Sequence, residues 1–124
     1  MPAFIENKRD LAEAYRKAFA ELSGVRLFTE PDFARSNYWL NVLLLDEASS
    51  EQRDALLAST NQIGIMTRPA WTLMHKLPMF AACPRMDLAV AENLESRLIN
   101  IPSSAKLNRQ QAVISANTNP SHGN

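Results

Sequence analysis

Apolar and polar residues follow one another along this chain with two different periods, and the points where the period changes divide it into elements. Over residues 4–22, Leu11, Tyr15, Ala18, Phe19 and Leu22 recur at helical spacing, and Glu6, Lys8, Arg9, Glu13, Arg16 and Lys17 fill most of the remaining positions. This predicts an amphipathic helix, closed by Gly24, which takes a left-handed conformation without a Cβ clash. Phe4 and Ile5 lie ahead of the stripe with no evident partner downstream. Either the helix is cut from a longer protein or its first turn is an ordinary frayed end.

A short strand is predicted over 25–28, followed by a loop punctuated by Pro31 and Asp32. Residues 37–45 are rich in aromatic, leucine and β-branched side chains, with Asn37 and Asn41 the polar exceptions, and they predict a central strand. Ser49 and Gln52 have capping-box spacing, so a second helix is expected over 54–62, with Leu56 and Leu57 inward and Gly64 at its end. Residues 65–67 suffice for a short strand, and Pro69 drives Arg68 toward extended geometry at a sheet edge. Residues 70–76 then suit one or two helical turns, in which Trp71 and His75 share a face. Asp87 is placed to cap a third helix reaching Arg97, with Leu88, Ala91, Leu94 and Leu98 inward and Glu92 and Glu95 outward. Residues 99–101 read as a last strand, broken at 102–104. Asn108 and Gln111 suit the start of a final helix over 110–116, and the polar tail at 118–124 is expected to be disordered. The sum is an α+β layer domain: a small antiparallel or mixed sheet of three to four strands with helices mainly on one face.

A length of 124 residues fits one domain with a sizeable core. Thirteen basic residues balance thirteen acidic ones, so there is no charge footprint for nucleic acid or a membrane surface, and neither is expected as a partner. Cys83 is the sole cysteine, and no apolar run has the length of a membrane span or the layout of a signal peptide. A cytoplasmic setting is the expectation.

Candidate chemistry concentrates in residues 64–80, where Arg68, Trp71 and His75 bring a guanidinium, an indole and an imidazole between Pro69 and Pro78. Such groups suit phosphates, rings and carboxylates, and the segment reads as a site wall. The competing reading makes Trp71, Leu73, Leu77 and Phe80 core, with Arg68 and His75 on its rim. A nucleophilic triad is not supported, because one of the two histidines, His122, falls in the tail. Cys83 and His75 lack the clustered partners of a zinc site, and the isolated Gly24, Gly64 and Gly123 form no phosphate-cradling loop. Lys8, Lys17 and Lys106 read as solvated side chains on helix faces or in a loop. Lys76 has no evident cause for the lowered pKa of an imine-forming lysine.

Four stretches carry a family resemblance: IENKRDLA at 5–12, NYWLN at 37–41, GIMTRPAW at 64–71 with His75 and LPMF at 77–80, and LINIPSS at 98–104. Together they resemble the C-terminal part of the DegT/DnrJ/EryC1/StrS aminotransferases, pyridoxal-phosphate enzymes of fold type I that aminate nucleotide-linked keto sugars. The Arg-Pro-x-Trp variant is most similar to the subgroup acting on UDP-linked 4-keto-6-deoxy sugars in legionaminic-acid or bacillosamine-type surface glycans. The resemblance implies that residues 1–117 are the small domain with its connecting helix. It further implies that the catalytic lysine and the cofactor pocket belong to a large N-terminal domain that would precede Met1. No catalytic or cofactor-binding residue is therefore expected here, and the chain alone is expected to bind no pyridoxal phosphate. Arg68 would meet a glutamate carboxylate or a diphosphate oxygen, Trp71 would stack on a sugar or base ring, and His75 would donate to a phosphate or hydroxyl. Asn37, Tyr38 and Trp39 are the second group of substrate-binding candidates. Ala70 departs from the histidine form of the motif, which counts against a direct catalytic role there. In the complete family enzyme the partners would be glutamate, a nucleotide sugar and a second subunit. One half of a split aminotransferase and a nonenzymatic binding domain of the same fold remain the alternatives.

Overall fold

The computed structural model describes residues 2–105. Helix α1 (Pro2–Phe19) is followed by strand β1 (Val25–Leu27), strand β2 (Asn41–Leu45) and helix α2 (Ser50–Gln62). Strand β3 (Arg68–Pro69), two 3₁₀ turns (Met74–Lys76 and Pro78–Phe80), helix α3 (Ala89–Arg97) and strand β4 (Leu98–Ile101) complete the order. The strands form one antiparallel sheet in the order β1-β2-β4-β3, as the α+β reading requires. The helix and tail expected at 110–116 and 118–124 lie outside the described residues.

The core follows from strand alternation. Val25 pairs with Leu45, Leu27 with Leu43, Leu43 with Ile99 and Asn41 with Ile101, so these side chains fall on one face of the sheet. Leu43, Leu45, Ile99 and Ile101 are buried there, and Tyr15 and Phe19 of α1 and Leu57 of α2 pack against them. The two longest helices thus cover the same face, and α2 half-buries Leu57 while Leu56 stays on the exposed side. Along α1 the inward positions are Lys8, Ala12, Tyr15 and Phe19, whereas Ala18 faces outward and Leu22, past the end of the helix, is exposed. The helix runs unbroken from Pro2, and Phe4 and Ile5 are exposed upon it.

The expected elements shift in several places. Residues 37–40 are not strand: Tyr38 has φ 47°, a left-handed conformation that interrupts any ladder, and β2 begins only at Asn41. The third strand is not 65–67 but Arg68–Pro69, because Thr67 is drawn toward α2 by Thr60 and Asn61. Ala70–Trp71 form no helical turn, and the 3₁₀ geometry starts at Met74. Helix α2 starts four residues earlier than expected: Ser49 caps it through a 3.2 Å bond from the Gln52 N–H. Asp87 accepts from the Ala89 N–H at 3.1 Å, yet the residue in the capping position is Leu88. Gly64 closes α2 with φ +85°, but Gly24, φ +84°, does not stop α1: the helix ends at Phe19, and Gly24 makes the turn into β1, where it exchanges hydrogen bonds with Asp46.

Candidate functional site

Trp39 and Trp71 meet across the surface with ring centroids 6.4 Å apart and planes inclined by 27°. They come from different elements: Trp39 from the loop ahead of β2, and Trp71 from the segment just after β3. Both indoles are largely exposed, at 66% and 73%, so neither Trp71 nor Trp39 is core. Phe80 is also exposed, which removes the reading of the 71–80 stretch as interior. Arg68 lies opposite Asn100 on the edge strand, and among the described residues its guanidinium makes no ion pair. Asn100 fixes that edge by donating to the Pro69 carbonyl at 3.0 Å.

The other predicted site residues disperse. Asn37 shapes the loop, its Oδ1 accepting the Trp39 N–H at 3.0 Å. Tyr38 turns away from the indole pair into an open groove of about 550 Å³ lined also by Arg9, Glu13, Leu27 and Glu30. Its ring receives the Arg9 guanidinium at 5.4 Å. His75 does not join Trp71, because the segment between them is not helical. Instead its Nε2 lies 2.8 Å from Glu92 of α3, while Lys76 pairs with Glu95 at 3.0 Å. The expected single wall therefore resolves into an indole pair with Arg68 on the neighbouring strand edge, a Tyr38 groove, and a His75 contact that ties the 3₁₀ turn to α3.

Two anchors of this surface are absent from the sequence reading. Arg9 forms an ion pair with Glu30 and donates to the Ser36 carbonyl at 2.6 Å, and the Ser36 N–H donates back to Glu30. The Arg9 hydrogen bond, aided by the Ser36 N–H, holds the Glu30 carboxyl below the usual carboxylate range. Lys8, expected to be solvated, is buried and donates to the carbonyls of Trp39, at 3.1 Å, and Ser103. The signal for it was present, since positions 8, 12, 15 and 19 share one helical face.

The comparisons with known proteins agree with this fold. The chain belongs to the DegT/DnrJ/EryC1/StrS aminotransferase family, which it matches over residues 1–117. Among curated relatives, GDP-perosamine synthase of Vibrio cholerae is 31% identical over 100 residues, covering 80% of this chain and 27% of that protein. The protein of the same name from Escherichia coli O157:H7 is 31% identical over 110 residues, covering 89% and 29%. Of solved structures, the aminotransferase TlmJ from Streptoalloteichus hindustanus superposes with a TM-score of 0.75 at 20% identity, covering 92% of this chain and 30% of that one. Helicobacter pylori PseC, an aminotransferase of pseudoaminic acid biosynthesis, gives 0.74 at 17% identity, covering 94% and 32%. The chain thus spans under a third of the length of these relatives.

The family is pyridoxal-phosphate-dependent, and one solved neighbour is a PLP-form. The described residues do not fit that cofactor. An imine-forming lysine needs a free amine beside the ring, whereas Lys8 is committed to two carbonyls, Lys17 lies 3.6 Å from Glu13, and Lys76 pairs with Glu95. Gly24 and Gly64 stand alone in turns and build no phosphate cup. No described helix is long and apolar enough to cross a membrane.

Proposed function

We propose that residues 1–117 are the small, substrate-facing domain of a nucleotide-sugar aminotransferase, and that Trp39, Trp71 and Arg68 form its substrate wall. The observation that carries this reading is the exposed indole stack. Two large rings left open to water are costly unless something covers them, and their outer faces suit a base or sugar ring. Arg68, at the strand edge three residues before Trp71, offers a planar fork for a diphosphate oxygen or for the carboxylate of a glutamate donor. His75 is outside this wall, because its Nε2 is taken by Glu92.

In this reading the complete enzyme is a homodimer that moves an amino group from glutamate to a UDP-linked 4-keto-6-deoxy sugar. Pyridoxal phosphate and its lysine come from a large domain, and this chain positions substrate. A second reading differs only in the nucleotide: the curated relatives named GDP-perosamine synthase favour a GDP-linked sugar.

The chain's two tryptophans are the two wall residues, so its indole fluorescence reports this surface alone. Titration with UDP and with GDP is expected to give saturable quenching by one of them, weakened about tenfold in Arg68→Ala by loss of the charge-assisted contact. Equal, non-saturating quenching by both nucleotides, unaffected by Arg68→Ala, sinks the reading.

A further inference from the structure

Lys8 is an unusual residue to find inside a small domain. The residue is only 7% exposed, and its partners among the described residues are carbonyl oxygens rather than a carboxylate. Burying an ammonium without a counter-charge is expensive, and an apolar residue would cover the same surface more cheaply. The Phe4 ring, 5.8 Å from Nζ, returns part of that cost and leaves the position of the amine to the two carbonyls.

One of those carbonyls belongs to the loop that carries an indole of the pair, and the other to the segment just after β4. One is Trp39 itself. The other is Ser103, whose hydroxyl accepts the Asn41 N–H at 2.7 Å and donates to Ile101 O at 2.7 Å, locking the ends of β2 and β4 together. Tyr15, further along the same helix, donates to the adjacent Pro102 carbonyl at 2.8 Å. The loop entering β2 is also under strain. Tyr38 holds φ 47°, and such a conformation persists only where neighbours over-determine it. Ser36 Oγ accepts the Tyr38 N–H at 2.9 Å, Asn37 Oδ1 accepts the Trp39 N–H, and Lys8 takes the Trp39 carbonyl. Trp39 is thereby gripped on both sides of its backbone, while its indole stays free to meet Trp71.

We propose that Lys8 is a positioning residue for the substrate wall: its ammonium fixes the backbone of Trp39 so that this indole stacks on Trp71. The inference rests on the substrate-wall reading for its purpose, but the stacking claim stands separately and is tested separately. Paired indoles give an exciton couplet in far-ultraviolet circular dichroism, and with two tryptophans in the chain the couplet has one source. Trp71→Phe verifies the assignment by abolishing it.

In Lys8→Met, which keeps the stem and removes the charge, the couplet is expected to fall about threefold as the rings lose their fixed geometry, with the helical signal and cooperative unfolding retained. Lys17→Met, on an exposed face of the same helix, is the control and keeps the couplet. If Lys8→Met folds poorly, Lys8→Gln is measured in the same way, since a neutral amide is easier to bury and is too short to hold both carbonyls. An undiminished couplet in a folded Lys8 variant overturns the proposal. Collapse of both variants, with helix and couplet lost together, also overturns it and makes Lys8 simply structural. If nucleotides leave wild-type fluorescence unperturbed while the Lys8 result holds, the substrate-wall reading fails and the positioning role survives.

Discussion

Glu30 and Arg9 show how single side chains set this surface. Arg9 reaches from α1 to the Glu30 carboxylate and the Ser36 carbonyl, so one guanidinium ties the loop ahead of β2 to the helix. The hydrogen bond from Arg9 lowers the Glu30 pKa first, and the Ser36 N–H adds to it. A carboxyl whose folded pKa lies below its unfolded value stabilises the fold fully above about pH 4.5 and loses that contribution as pH falls through the folded value. Glu13, lowered chiefly by its bond from Arg16, acts in the same direction. Glu30→Gln is therefore expected to flatten the acid limb of the Tm-against-pH curve while leaving its slope above pH 6 unchanged, read by thermal melts across the acid range. An acid limb as steep as wild type removes Glu30 from the account. None of this was legible in the sequence. Arg9 and Glu30 belong to different elements, and no periodicity announces their meeting, nor the left-handed Tyr38 beside them. Lys8 was legible in principle, for its spacing from Ala12 and Tyr15 places it inward, but a charged residue is ordinarily assigned to water.

At the scale of elements, what the sequence showed best was what local chemistry decides. The amphipathic α1, the capping serine of α2, the Gly64 stop and the edge position of Arg68 all follow from residue type and spacing. Ser49 supplies the test: its hydroxyl satisfies an otherwise open N–H at the start of α2. Ser49→Ala is expected to cost about 1 kcal/mol, measured by urea unfolding, with little change in the slope of the transition. A loss near zero means that water replaces the cap at this exposed helix end. The misread elements are those decided by tertiary contact. Residues 37–40 have strand-forming side chains, yet the bonds from Lys8, Asn37 and Ser36 bend them into a loop. Thr67 has strand propensity, yet its hydroxyl and carbonyl are held by α2, and the ladder moves on to Arg68 and Pro69. The expected Trp71–His75 pair failed for a related reason, since Pro69 and the extended Leu73 delay helical geometry until Met74. The partner of Trp71 is instead Trp39, from a segment distant in sequence.

The described residues have little outside the central sheet to hold apolar surface. Among them the tightly buried apolar set is small, Ala12 on α1 and five leucines and isoleucines on β2 and β4, while large apolar side chains stand exposed in several places. They include Phe4 and Ile5 on the first turns of α1, Ile63, Ile65 and Met66 between α2 and β3, and the two indoles. Isolated exposed leucines are ordinary, but clusters of this kind mark surfaces that associate. The balanced charge removes the electrostatic repulsion that would oppose contact between copies, and the sequence pI of about 6.7 puts this condition close to neutral pH. The chain by itself is therefore expected to self-associate weakly. Sedimentation velocity at neutral pH should show a coefficient that rises with concentration, and raising the pH to about 9, where net charge grows, should reduce the effect. Phe4→Ser with Ile5→Ser should lessen it without loss of helical signal, because both side chains lie outside the core. A concentration-independent monomer at neutral pH counts against the idea that this apolar surface needs a cover, and with it against one reason for placing a larger domain beside the indole wall.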